Sequence, residues 1–94
     1  MRFESLVKST RPDKKYMITF SEPNKTIHFG SKNSKTFLDH KDETKRINYL
    51  KRHFQNENWN NPLTAGALSA YLLWLTPDLD YNLKYFLDSF KIDY

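Results

Sequence analysis

Cations are the most chemically suggestive residues of this chain, and they come in three groups: Arg11, Lys14 and Lys15; Lys32 and Lys35; and Lys41, Lys45, Arg46, Lys51 and Arg52. Residues 1–53 hold 13 Lys/Arg against 6 Asp/Glu, whereas residues 54–94 hold 2 against 5, so a net charge of +4 hides halves of +7 and −3. A clustered positive field draws in polyanions by releasing their condensed counterions, whatever fold lies beneath it. The first two groups flank an expected hairpin and the third lies along an expected helix, so folding could gather them on one surface that tracks phosphates. The competing reading is a solvated face that serves only solubility.

Histidine supplies the second candidate chemistry. His28 falls in an expected strand, His40 before an expected helix and His53 on it. With Asp39, Asp42 and Glu57 close by, His40 and His53 could form a metal or acid–base cluster, since imidazole and carboxylate suit zinc, manganese or iron. Their spacing matches no metal motif, and a histidine at a helix edge more often makes a structural hydrogen bond. A small metal-dependent hydrolase around His40, His53 and Glu57 is therefore a minor reading, and no metal or other cofactor is expected. A chain with only Gly30 and Gly66 has no phosphate loop, and no nucleophile elbow is present. Zinc-finger ligation needs cysteine, which is absent, and no RNA-binding signature appears. Nucleic acid bound here would be recognised mainly without sequence preference. Trp59, in the connection between two expected helices, either plugs the core or presents a surface; Trp74, inside an apolar helix, belongs to the core.

The elements that must carry these residues can be read from period and punctuation. β-branched and aromatic residues dominate Phe3 to Val7, Tyr16 to Phe20 and Thr26 to Phe29. Tyr16, Ile18 and Phe20 alternate with Met17 and Thr19, the period of a half-buried strand. Ser21-Glu22-Pro23-Asn24-Lys25 has the chemistry of a hairpin turn, with Asn24 tolerating a left-handed backbone. Asp42 is a suitable N-cap for a helix from about Glu43 to Gln55, with Ile47, Leu50 and Phe54 facing inward, Lys41, Lys45, Asn48 and Arg52 along another side and Lys51 beside them. Asn61-Pro62 starts a helix over Leu63 to Leu75, apolar or small all round and therefore central. Thr76 then caps a last helix whose Leu79, Leu83, Phe86, Leu87 and Phe90 form one apolar face. Thr64-Ala65-Gly66-Ala67 permits close approach of a neighbouring element, within the chain or across a two-fold axis.

The expected fold is α+β: an antiparallel sheet of two or three strands (residues 1–38) followed by three helices (residues 39–94), in one domain. The 16% aromatic content lets a short chain with no disulfide build a core. The longest apolar stretch, 13 residues from Leu63 to Leu75, is too short to span a bilayer, and the start Met1-Arg2-Phe3-Glu4 carries no apolar leader, so a cytosolic, nuclear or virion location and no membrane partner are expected.

Several strings taken together, Thr26-Ile27-His28-Phe29-Gly30-Ser31, His40-Lys41-Asp42, Tyr49-Leu50-Lys51-Arg52-His53, Glu57-Asn58-Trp59 and Thr64-Ala65-Gly66-Ala67-Leu68-Ser69 followed by Leu73-Trp74, resemble a family of short uncharacterised proteins encoded by large nucleocytoplasmic (giant) DNA viruses. The likeness extends over about residues 15–90. It implies expression in an infected cell, in cytoplasm or nucleus, and packaging in the particle, with no assigned activity. Relatives tend to carry Arg after the Ser69 position and a more basic last helix; here Ala70 follows, and Asp78, Asp80 and Asp88 make that helix acidic. The leading functional expectation is a non-enzymatic nucleic-acid-binding accessory protein. The alternative is a self-associating interaction or virion structural module, with a homodimer as its simplest form.

Overall fold

The computed structural model describes residues 1–94. Strands β1 (Arg2–Lys8), β2 (Lys14–Ser21) and β3 (Lys25–Ser31) form an antiparallel sheet in the order β1-β2-β3. Four helices follow: α1 (Phe37–His40), α2 (Glu43–Phe54), α3 (Ala65–Leu73) and α4 (Leu79–Ser89). This is the expected α+β arrangement with one further short helix, α1, lying across the expected boundary at residues 38 and 39.

The alternation of β2 works as read: Ile18 and Phe20 are buried, and Tyr16 stacks on Phe29 across the β2–β3 ladder. In the connecting turn the left-handed residue is Glu22, at φ 57, and not Asn24. β1 pairs with β2 through a register shift between Phe3 and Ser5. Its outer edge is covered by the C-terminus: Phe3 N donates to Asp93 O, Asp93 N donates to Met1 O, and Ile92 enters the core. Covering an edge in this way satisfies ladder groups that would otherwise invite another strand.

α3 is the centre of the fold, packed on both β3 and α4, with Leu68, Leu72 and Leu73 fully buried. Gly30 makes its approach to the sheet feasible. A Cβ there would lie 2.9 Å from Leu73 Cδ1, and φ +79 is in the left-handed region that side chains disfavour. Phe86 and Leu87 of α4 and Phe37 of α1 complete the same apolar cluster.

Two helix starts differ from the sequence reading. Asn61 Oδ1 accepts from Leu63 N in a tight turn, which leaves Thr64 as the N-cap, its hydroxyl accepting from Ala67 N. Thr76 does not cap α4, because its hydroxyl donates to Asn82 Oδ1 at 2.6 Å; Asp78 takes the position and accepts from Tyr81 N. The inward face of α2 also differs. Ile47 and Phe54 are 42% and 67% exposed, and the residues turned toward the rest of the fold are Arg46, Tyr49, Leu50 and His53. The helix is turned by a ring stack: Tyr49 lies parallel to Trp74 at 4.0 Å and 5°, a large desolvated contact.

Candidate nucleic-acid interface

Five of the ten grouped cations come together. Lys14 opens β2, Lys35 precedes α1, and Lys45, Lys51 and Arg52 lie along α2. Lys35 is placed by its neighbour: Thr36 is buried and donates its backbone N–H and its hydroxyl to Asp39 Oδ2, which fixes the entry to α1. The Thr36 N–H, against a smaller opposing effect of burial, holds the Asp39 carboxyl below the usual carboxylate range.

Lys14, Lys35 and Arg52 line a cleft of about 430 Å³ whose walls include Tyr49, His53 and Glu57. Lys35, Lys45, Lys51 and Arg52 line a second, shallower one of about 600 Å³ with His40 and Asn48. Lys35, Arg52 and Trp74 belong to both, so the two clefts adjoin. The ion pairs of the molecule are Arg11–Asp13 and Arg46–Glu43, and Glu57 is hydrogen-bonded to His53, so none of the five cleft cations is paired with a carboxylate. Glu57, the one carboxylate in the wall, is bonded to His53 and Trp59 and not to a lysine or arginine, so the cations outnumber it and the field is the kind that concentrates anions.

The other candidates go elsewhere. Lys15, whose charge acts on Asp39, and the exposed Lys32 and Lys41 line neither cleft. Lys41 ends α1 in a left-handed conformation at φ 54. Arg46 is structural: Nε donates to Trp74 O at 2.8 Å and Leu75 O at 3.2 Å, Nη1 pairs with Glu43, and the guanidinium sits over the Phe37 ring at 5.7 Å. It satisfies carbonyls at the end of α3, where a positive charge also suits the helix dipole.

The histidines do not cluster. His28 pairs with Ser9 Oγ across the sheet. His40 accepts from Asp42 N through Nδ1, and its Nε2 is buried without a hydrogen-bond partner. Trp74 and Tyr49 stand between His40 and His53, and no group of three or more His, Asp or Glu side chains could hold a metal ion. The geometry therefore does not assemble the hydrolase centre of His40, His53 and Glu57.

What the sequence reading missed is the aromatic column. Tyr49 stacks on Trp74 at 4.0 Å and on His53 at 4.1 Å with an interplanar angle of 28°. Two rings that close and nearly parallel must occupy opposite faces of Tyr49. Enclosed in this way, the Tyr49 phenol has its pKa pushed up to about 12, chiefly by burial, with the Glu57 charge adding to it. His53 ends the column, oriented by Nδ1 to Glu57 Oε2 at 3.2 Å, and Glu57 Oε1 accepts from Trp59 Nε1 at 2.8 Å. Trp59 thus steadies the carboxylate and meets Phe54 edge to face. Gly66 leaves room for this carboxylate, since a Cβ there would lie 2.8 Å from Glu57 Cδ. The close approach expected at Thr64–Ala67 is thus made by a side chain of the same chain. The i, i+4 spacing of Tyr49, His53 and Glu57 was the available signal; Trp74 had none.

Residues 4–53 match a family of unknown function, DUF5754. The chain belongs to that family. No curated protein and no solved structure matches it. The DUF5754 match runs from β1 through nearly all of α2, and so contains all five cleft cations, Tyr49 and His53. Glu57, Trp59 and Trp74 lie beyond the stretch matched to DUF5754.

Proposed function

We propose that the protein is a non-enzymatic nucleic-acid-binding protein, acting mainly without sequence preference through its paired cationic clefts. The observation that supports this is the meeting of Lys14, Lys35, Lys45, Lys51 and Arg52, from a strand, a loop and a helix, with no carboxylate paired to any of them. Five phosphate contacts correspond to a slope of log affinity against log salt of about −3.5 for a single strand and −4.5 for duplex. A fourfold rise in salt from about 50 mM then weakens binding roughly 100- to 500-fold. Polarisation titrations with labelled DNA and RNA measure this directly. No binding at about 50 mM salt, or a slope near zero, refutes the proposal.

The resemblance of its motif strings to proteins of large DNA viruses supports a role as a viral accessory protein in the infected cytoplasm or nucleus, or within the particle. Mass spectrometry of purified particles and of infected-cell fractions tests that placement. A second reading, a self-associating or virion structural module, is favoured by exposed Ile47 and Phe54, on the side of α2 away from the column. Light scattering separates the two: a dimer that persists at high salt supports the apolar interface, and a strict monomer opposes it.

A further inference from the structure

The aromatic column has one open end. Tyr49 is covered on both faces and Trp74 is buried, but no second ring stacks on His53, whose side chain is 38% exposed in the wall of the smaller cleft. Its ring is held in place by Glu57, which is itself held by Trp59, so the exposed part of the ring is pre-oriented. Lys14, Lys35 and Arg52 share that cleft with it. A fixed π face beside three unpaired cations matches the alternation of base and phosphate along an unpaired strand. It does not match a duplex, whose base faces are already stacked on each other and which offers only groove edges and phosphates.

We propose that the preferred ligand is single-stranded nucleic acid, with one base stacked on the outer face of His53 as the next ring of the column, and its flanking phosphates on Lys14, Lys35 and Arg52. This rests on the nucleic-acid reading above and adds the strandedness and the position of a base. Recognition is by the π face, so every base is accepted, and deoxyribose and ribose strands share the same chemistry. The cleft volume, about 430 Å³, lies in the range of pockets that enclose a small ligand.

The test uses three labelled probes of equal length, about ten nucleotides: a single strand, the same strand with abasic sites throughout, and the corresponding duplex. The single strand is expected to bind about tenfold more tightly than the abasic strand, and more tightly than the duplex at matched salt. His53→Ala should bring the normal strand down to the abasic level, while His53→Phe, which keeps a ring, retains the preference. His53 ring protons should move upfield on adding the strand, and not on adding the abasic probe. Equal affinity for normal and abasic strands, or a duplex that matches the single strand, overturns this inference while leaving nucleic-acid binding intact. Absence of binding to all three probes overturns both. If His53→Ala fails to fold, the abasic comparison and the Phe variant still decide.

Discussion

Lys45 and Arg46 are adjacent, both cationic and on one helix, yet the structure gives them opposite jobs, and that contrast can be measured. Arg46→Ala removes two hydrogen bonds from a charged donor to the Trp74 and Leu75 carbonyls, in a side chain only 24% exposed. Bonds to a charged partner contribute about 1.5–3 kcal/mol each, less where solvent can replace them, so about 2 kcal/mol for the pair is a fair figure. The contact with Phe37 adds about 0.5–1 kcal/mol, and the pair with the well-exposed Glu43 adds little. The expected loss is about 2–3 kcal/mol, a large share of the stability of a domain this small, and a fall in Tm of about 10–20 °C. Arg46→Lys keeps the charge but not the fork, and should lose at least about 1 kcal/mol. Lys45→Ala, at an exposed cleft position, should leave stability within about 0.5 kcal/mol. In polarisation titrations over a salt series, Lys45→Ala should make the slope shallower by about 0.7–0.9, the share of one phosphate contact, while Arg46→Ala leaves it unchanged. The assignment is refuted if Arg46→Ala lowers the slope by a full contact with its Tm intact, or if Lys45→Ala unfolds the protein and spares the slope.

Two further outcomes follow from single side chains. Asn82 is fully buried and makes four hydrogen bonds: Nδ2 donates to Leu72 O and Thr76 O, and Oδ1 accepts from Thr76 N and Oγ1. Asn82→Ala strands these groups between α3 and α4 and should cost about 3–4 kcal/mol in urea denaturation; a change under about 1 kcal/mol would show the turn to be held by something else. Tyr49 holds its proton up to about pH 12 in the folded state, against 10 for a free phenol. The folded state therefore binds the proton more tightly, so this contribution is complete below about pH 10 and is lost as pH rises toward 12, by about 1–2 kcal/mol after allowance for partial exposure. Urea midpoints at neutral and alkaline pH should diverge between the wild type and Tyr49→Phe, with the variant losing less; parallel losses contradict the enclosure of the phenol.

How much of this was legible in the sequence depended on whether the deciding contact was local. The alternation of Tyr16, Ile18 and Phe20 and the Asp42 cap involve neighbours in the chain, and both read correctly. Thr36-Phe37-Leu38-Asp39 carries the [ST]-x-x-[DE] pattern of a capping box, a local signal for α1. Thr76 has the residue type and position of a cap, but its engagement with Asn82 arises only once α3 and α4 are folded against each other. Of the inward face of α2 only Leu50 was legible; the rest is set by Trp74, far away in sequence. That difference bears on function. Had Ile47, Leu50 and Phe54 faced inward, the row of Lys45, Asn48 and Arg52 would lie nearly opposite the core and point straight into solvent, far from Lys14 and Lys35. Turning the helix toward Tyr49 by most of one residue's rotation, about 100°, carries that row around to the cleft. It also carries Arg46 inward, onto the α3 carbonyls. The Tyr49–Trp74 stack is thus what delivers the α2 cations to the site, at the expense of leaving Ile47 and Phe54 wet. A helix that leaves Ile47 and Phe54 in water while its tyrosine and arginine face the core is oriented by the column it completes, and the same orientation sets His53 in the cleft wall beside Lys14, Lys35 and Arg52.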